Sequence, residues 1–340
     1  MRNAEARLNP EARPVRVSYV LSTRNRADHL DRALAGARAF VDDGDELIVV
    51  DGGSTDHTAA VVAEHRDLVS TFISEPDSGE AHGLNRGVLR ARGHIIKQLT
   101  DDDHFYPEAM RAAIAALEAD PSIDALMCGG EACEFDPATG ETRLVEYRFL
   151  PAGLRLKDDV GHILRFTQCG LGLVLTRRGL ERAGLFDTSF RAVDTDYMAR
   201  LIACGADFRY LNVKLFRHVT YPHSGQNRGA ECVRDRARVL LRSGDWPRIF
   251  GELDPRALGE ALGMGGLPHG ESLARLLWVG EWMRRGPFGP LLDLVAGTLR
   301  ACARALAVCR RLLRGPGPGG AARAGDTDLT VEPEWDGSLR

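Results

Sequence analysis

No two cysteines in this chain of 340 residues are spaced as CxxC. The seven that occur, at positions 128, 133, 169, 204, 232, 302 and 309, are odd in number and scattered. That argues against a disulfide framework or a zinc site and fits reduced, mostly buried thiols of a cytosolic protein. There is no excess of basic charge. With 44 Lys and Arg against 48 Asp and Glu, the net charge is −4 and the pI near 6.2, so nucleic-acid binding has no electrostatic support. No apolar run opens the chain: Met1 to Pro14 is polar, carries several Arg and Glu, and does not read as a secretory signal. What remains is an ordinary soluble composition, 27% charged and 44% apolar, long enough for one large or two modest domains.

After a polar arm over 1–14, strand-like and helix-like segments alternate from Val15 onward. Val15 to Leu21 is a β-rich run, Ser22 to Arg26 a polar turn, and Leu30, Ala33, Leu34 and Ala37 fall on one side of a helix reaching Phe40. Glu46 to Val50 is almost continuously apolar, as expected of a strand covered on both faces. A helix over Thr58 to His65, a strand over Val69 to Ile73, a helix over Ala81 to Ala91 and a strand over His94 to Leu99 follow. This order predicts an α/β fold with a doubly wound, mostly parallel sheet flanked by helices. Ligands of such sheets sit at the carboxyl ends of the strands. Thr23 to Arg26, Asp51 to Asp56 and Asp101 to Asp103 each follow a strand, so all three segments should line one edge.

Asp101, Asp102 and Asp103 are three consecutive carboxylates, which repel one another unless a cation or several N–H donors compensate. A nucleotide diphosphate fits that edge, because an Asp accepts bonds from a base or ribose while a divalent ion bridges phosphates to carboxylates. Plainer readings exist for each piece. The triplet also fits a solvated turn or a cap on the helix that Pro107 begins, and Gly52 to Asp56 fits a tight turn with Asp56 as a helix cap.

Val49 to Thr58, Ser74 to Gly79 leading into Leu84 to Gly87, Leu99 to Asp103, then Gly184 to Phe190 and Val193 to Tyr197 together resemble the family 2 glycosyltransferases of the GT-A fold. The resemblance spans about residues 15 to 228, marking that stretch as the catalytic domain. It implies transfer of a sugar from a nucleotide-diphosphate sugar to an acceptor hydroxyl with inversion, in polysaccharide or glycolipid assembly, on a saccharide or lipid-linked acceptor. By the same resemblance Thr23, Asn25, Arg26, Asp51, Gly53, Asn85, Arg86 and Asp102 would bind the nucleotide sugar. Thr23 and Asp51 would hold the base, Asp102 the ribose or metal side, and Asn85 and Arg86 match the AxNxG segment near the nucleotide. Asp102 and Asp103 would hold Mg²⁺ or Mn²⁺, with His223, in a His-Pro-Gly-Ser-like loop, favoured over His218 to complete the shell.

Such an ion stabilises charge on the departing diphosphate as a Lewis acid. The base that takes the acceptor's proton would be Asp194, with Asp196 or Thr195 capping a helix that starts at Tyr197. The sequence departs from the family in Thr100, where Asn or Asp is usual, in Val193, and in its three acids in a row, which leave open which two serve the metal. Two other readings keep the scaffold. A sugar nucleotidyltransferase would want a Gly-rich triphosphate loop, and Leu21 to Arg26 has no glycine. A catalytically silent nucleotide-sugar or partner-binding protein needs none of Asp51, Asp102, Asp103 and Asp194 together.

Pro107 to Ala119 reads as a helix, Ala125 to Cys128 as a buried strand, and Gly129 to Leu156 as a polar insertion with a hairpin turn at Phe135 to Gly140. Gln168 to Arg178 carries two glycines that suit either sugar approach or close strand packing. A helical extension is expected over 229–314. Within it Leu292, Val295, Leu299, Cys302, Leu306, Cys309 and Leu313 form one stripe on a basic amphipathic helix. Three placements suit that helix: docked on the catalytic domain, paired in a homodimer, or lying in the plane of a membrane at its inner face. Arg300 and Arg304 interrupt it, which argues against a spanning helix. The end, 315–340, reads as a disordered acidic tail.

Overall fold

The computed structural model describes residues 14–150, 170–221, 239 and 332–340. The N-terminal arm up to residue 13, His223 and the helix expected over 290–314 lie outside the described residues.

The first half is a parallel α/β unit. Strands β1 (Val17–Thr23), β2 (Glu46–Asp51), β3 (Thr71–Ser74) and β4 (Ile95–Leu99) are joined by helices α1 (Ala27–Ala37), α2 (Thr58–Glu64) and α3 (Glu80–Arg90). They stand in the order β3-β2-β1-β4, all parallel. Every residue of β2 is buried, which explains its unbroken apolar run. On α1 the buried positions are Ala27, Leu30, Leu34 and Ala37, one stripe at helical spacing.

The second half adds β5 (His104–Phe105), α4 (Pro107–Ala119), β6 (Ala125–Asp136), β7 (Glu141–Arg148), a 3₁₀ turn (Gly170–Gly172), β8 (Leu173–Thr176), α5 (Arg177–Ala183), α6 (Val193–Ala203) and β9 (Phe208–Thr220). The nine strands run β3-β2-β1-β4-β8-β6-β9-β5, with β7 on β6. The sheet is therefore mixed: β8 is antiparallel to both neighbours, as are β5 on β9 and β7 on β6, while β6 and β9 are parallel. Two cores result. One gathers Leu30, Leu34, Met110 and Ile114 with strand residues such as Val49 and Leu126. The other packs Leu84, Val88, Tyr197 and Leu201 against the opposite face.

Two expectations need correction. The segment from Gly129 is not a polar insertion, because β6 continues to Asp136, turns where expected, and returns as β7. Its polar residues sit on strands whose glycines admit neighbours: a Cβ on Gly130 would lie 2.6 Å from the Phe216 ring. The last nine residues are not a disordered end either. Tyr210 and Arg340 exchange backbone bonds of 2.7 and 2.8 Å, Asn212 N–H donates to Ser338 O, and Trp335 covers Gly129. Acidic composition was misleading there, since backbone pairing to β9 needs no apolar side chains.

Candidate active site

The carboxyl ends of β1, β2 and β4 meet as the sequence order requires. The loop after β1 holds Asn25 in the left-handed region (φ 52°), a conformation Asn tolerates better than most residues. Asn25 Oδ1 accepts the Thr55 N–H at 2.8 Å and the Asn25 N–H donates to Ser54 Oγ at 2.7 Å, so the first two loops are stitched together. Gly53 (φ 79°) lets the second loop turn beneath Pro76, where a Cβ would sit 3.1 Å from the proline nitrogen. Asp56 accepts from the Ala27 N–H of α1 and from Thr58, so it serves both helices that leave this edge.

Asp51 is only 2% exposed, and its oxygens accept from the Ser54 N–H, Ser54 Oγ (2.5 Å) and Ser74 Oγ (2.7 Å). It shapes its own loop. Thr23 Oγ1 donates to Asp101 Oδ2 at 2.6 Å, and Arg26 reaches Asp101 Oδ1 at 3.0 Å and Asp102 Oδ2 at 2.5 Å. Burial, reinforced by Asp102, pushes the Asp101 carboxyl up to about 6 against the pull of Thr23 and Arg26. Burial also works against the Arg26 charge, but Asp102 and Asp101 outweigh it and raise its pKa.

The three acids have separate fates. Asp101 is buried under Thr23 and Arg26. The Asp102 side chain keeps 16% exposure beside Arg26. The Asp103 side chain, 3% exposed, accepts from Thr100 Oγ1 (2.7 Å) and the Val219 N–H (2.9 Å) and lies 3.0 Å from His218 Nδ1. The expected Asp102–Asp103 metal pair is thus not presented together, because β9 ties Asp103 inward. Among the described residues no group of three metal-ligating side chains converges.

Asn85 is not at the mouth of the site. Its amide both donates to Phe186 O and accepts the Phe186 N–H, each at 2.8 Å, in a buried bridge from α3 to the loop before α6. Arg86 donates to the carbonyls of Glu75 and Pro76 and so clamps the loop between β3 and α3.

Asp194 lies in the first turn of α6, which starts at Val193 and not at Tyr197. Its Oδ2 accepts the Gly170 N–H at 2.9 Å and its Oδ1 the Thr195 N–H at 2.7 Å. Asp196 and Thr195 do not cap the helix. Ala192 is the cap residue, and Asp196 pairs with Arg200 one turn on at 2.8 Å.

Glu80, the first residue of α3, is the residue that sequence reasoning passed over. Gln98 Nε2 donates to its Oε1 at 3.2 Å. Although Glu80 is exposed at the surface, its carboxyl is pushed up to about 7, by burial first and then by the charges of Asp194, Asp102 and Asp101. Glu80 thus feels the charge of Asp194 on α6 as well as those of Asp102 and Asp101 after β4. An acid opening a helix is so ordinary that it drew no notice. The available signal was that Ser78-Gly79-Glu80 follows β3, at the same sheet edge as the other loops.

A mixed nine-stranded sheet flanked by helices, with the parallel β3-β2-β1-β4 unit at one side, is a GT-A-like fold. The chain is similar to Staphylococcus aureus TarS residues 1–349, solved in complex with UDP-GlcNAc, with TM-score 0.57 over 83% of this chain and 87% of that one. Sequence identity there is 15%, so the likeness is one of fold. Residues 18–169 match the family model described as Glycosyl transferase family 2.

The chain is 29% identical over 215 residues to the succinoglycan biosynthesis protein ExoU of Rhizobium meliloti, covering 59% of this chain and 61% of the relative. It is 21% identical over 197 residues to the poly-beta-1,6-N-acetyl-D-glucosamine synthase of Staphylococcus aureus, covering 57% and 47%. The chain spans about half the length of the curated relatives it matches. Among the described residues no helix is long and apolar enough to cross a membrane.

Proposed function

We propose that this chain is a glycosyltransferase that moves a sugar from a nucleotide-diphosphate sugar to an acceptor hydroxyl with inversion, in the assembly of a polysaccharide or glycolipid. The observation that carries the reading is the joining, at the carboxyl ends of β1, β2 and β4, of Thr23 and Arg26 to Asp101 and Asp102 and of Asn25 to Ser54 and Thr55, inside the stretch that matches the glycosyltransferase family model. In a single displacement the acceptor oxygen forms its bond to the anomeric carbon as the bond to the diphosphate breaks. Asp194, half-buried and held by the Gly170 and Thr195 N–H groups, takes the acceptor's proton. A fixed carboxylate costs little reorganisation at that moment.

Nucleotide contacts fall to the two stitched loops, Asn25 and Arg26 after β1 and Gly53 after β2, and to Asp102. Thr23 and Asp51 act behind them, through Asp101 and the β2 loop respectively. Asn85 and Arg86 fix the loops that frame the cleft. For a divalent ion, Asp102 fits. One of its oxygens pairs with Arg26, the other has no hydrogen-bond partner among the described residues, and Mg²⁺ or Mn²⁺ commonly takes one or two carboxylates plus substrate phosphates. Asp103, with both oxygens engaged, fits poorly. When bound, the ion supplies Lewis-acid stabilisation of the leaving diphosphate.

The test is donor cleavage over UDP-, GDP- and dTDP-sugars with Mn²⁺, Mg²⁺ or EDTA, with and without saccharide acceptors. UDP-N-acetylhexosamines come first, because the similar TarS structure holds UDP-GlcNAc. Turnover of one donor, lost in Asp194→Asn while nucleotide binding persists, is the expected result. Failure of every nucleotide to bind would remove the reading.

A further inference from the structure

Lys97 is one of three lysines in a chain with 44 basic residues, and it is fully buried. It sits in β4, with Tyr19 of β1 beside it on one side and Val174 of β8 on the other. Its Nζ donates to Leu171 O at 2.6 Å and Leu173 O at 3.1 Å and stands 4.9 Å over the Phe105 ring. Those two carbonyls belong to the 3₁₀ turn Gly170–Gly172 and the residue after it.

The same turn is wedged at both ends. A Cβ on Gly172 would lie 2.2 Å from Cys128 O, and one on Gly170 would lie 2.9 Å from Asp194 Cβ. From that seat the Gly170 N–H donates to Asp194 Oδ2 at 2.9 Å.

We propose that Lys97 is a positioning residue: by gripping the 170–172 turn from beneath, it fixes the Gly170 N–H and with it the Asp194 carboxylate. An ammonium in a core is a poor way to gain stability, because desolvation opposes it, and Leu or Met would pack β4 as well. What an apolar side chain lacks is direction. Two carbonyls drawn toward Nζ orient the peptide groups of the turn, so its first N–H is presented to α6. A carboxylate on the first turn of a helix has several rotamers, and the Gly170 bond selects one. The catalytic half of this inference rests on the reading of Asp194 as the base.

Lys97→Met and Lys97→Gln, the first removing every donor and the second keeping an amide, test it in the full chain. Three quantities are read: the melting temperature, the hydrogen-exchange rate of the Gly170 amide by NMR, and kcat with donor affinity. Expected are folded variants in which the Gly170 amide exchanges at least about tenfold faster and kcat falls about tenfold or more, Lys97→Met the more severely, with donor affinity within about twofold. Gly170 exchange and kcat both within about twofold of the unaltered protein would overturn the inference. Loss of folding in both variants would overturn it as well, since Lys97 would then be a requirement of the core. If the unaltered protein turns over no donor, the proposed activity fails while Gly170 exchange still decides whether Lys97 sets the turn.

Discussion

Replacing Glu80 by Gln separates the electrostatics of the cleft from its shape. The Glu80 carboxyl titrates at about 7, against an ordinary 4.5, because burial and the charges of Asp194, Asp102 and Asp101 oppose its ionisation. In the unfolded chain it ionises near 4.5; in the folded protein it holds its proton to about 7. Between those values the folded state binds the extra proton, so stability declines as pH rises through that window and levels off above it. If the group were fully buried, the displacement would amount to about 3 kcal/mol. Glu80 keeps an open surface, and solvent screening reduces this to about 1 kcal/mol.

Gln retains the oxygen that accepts from Gln98 and has the shape of the protonated acid. Glu80→Gln should therefore match the unaltered protein at pH 5 and exceed it by about 1 kcal/mol at pH 8, in urea unfolding followed by circular dichroism. Donor affinity should lose part of its pH dependence in parallel, since the variant adds no negative charge to a cleft proposed to take an anionic diphosphate. A stability difference that is constant from pH 5 to pH 8 would refute the reasoning.

Asp194→Asn should lower kcat by about 10²- to 10⁴-fold and leave donor affinity within about twofold, read by initial rates and calorimetry; a matching loss of affinity would move Asp194 out of the chemical step. Asn85→Ala strands the buried N–H and C=O of Phe186 and should cost about 2 to 4 kcal/mol in urea unfolding, with nucleotide affinity unchanged for the folded fraction. Weakened nucleotide binding at equal stability would instead return Asn85 to the binding surface. Trp335→Ala uncovers Gly129 and should destabilise by about 2 kcal/mol, with faster exchange of the Tyr210 and Asn212 amides that pair with the C-terminal segment. Unchanged exchange there would show that the segment does not hold to β9.

Fold and site were legible in the sequence to different depths. Alternating strand and helix periods from β1 to β4 are local properties, and they fixed the parallel half of the sheet and the edge where Thr23, Asp51 and the Asp triplet gather. The hairpin turn after β6 was equally readable from its turn residues. The length of β6 was not, because its polar and glycine residues are placed by β7, β9 and Phe216, partners far along the chain.

Within the site, the residue types were visible and their orientations were not. Asp102 and Asp103 are neighbours in sequence, yet one stays by the cleft with Arg26 and the other is drawn inward by Thr100, Val219 and His218. Asn85 looked like a nucleotide contact until Phe186, 101 residues on, took both ends of its amide. Glu80 and Lys97 carry no motif at all; Asp194 on α6 and the turn at Gly170 give them meaning. Which loops reach the sheet edge, those of Thr23, Asp51 and the Asp triplet, was set by the local pattern, because periodicity and strand order depend on near neighbours. The tertiary structure decided which of their oxygens and N–H groups remain for a substrate, because each hydrogen bond in a folded interior is claimed by whichever partner the packing brings within about 3 Å.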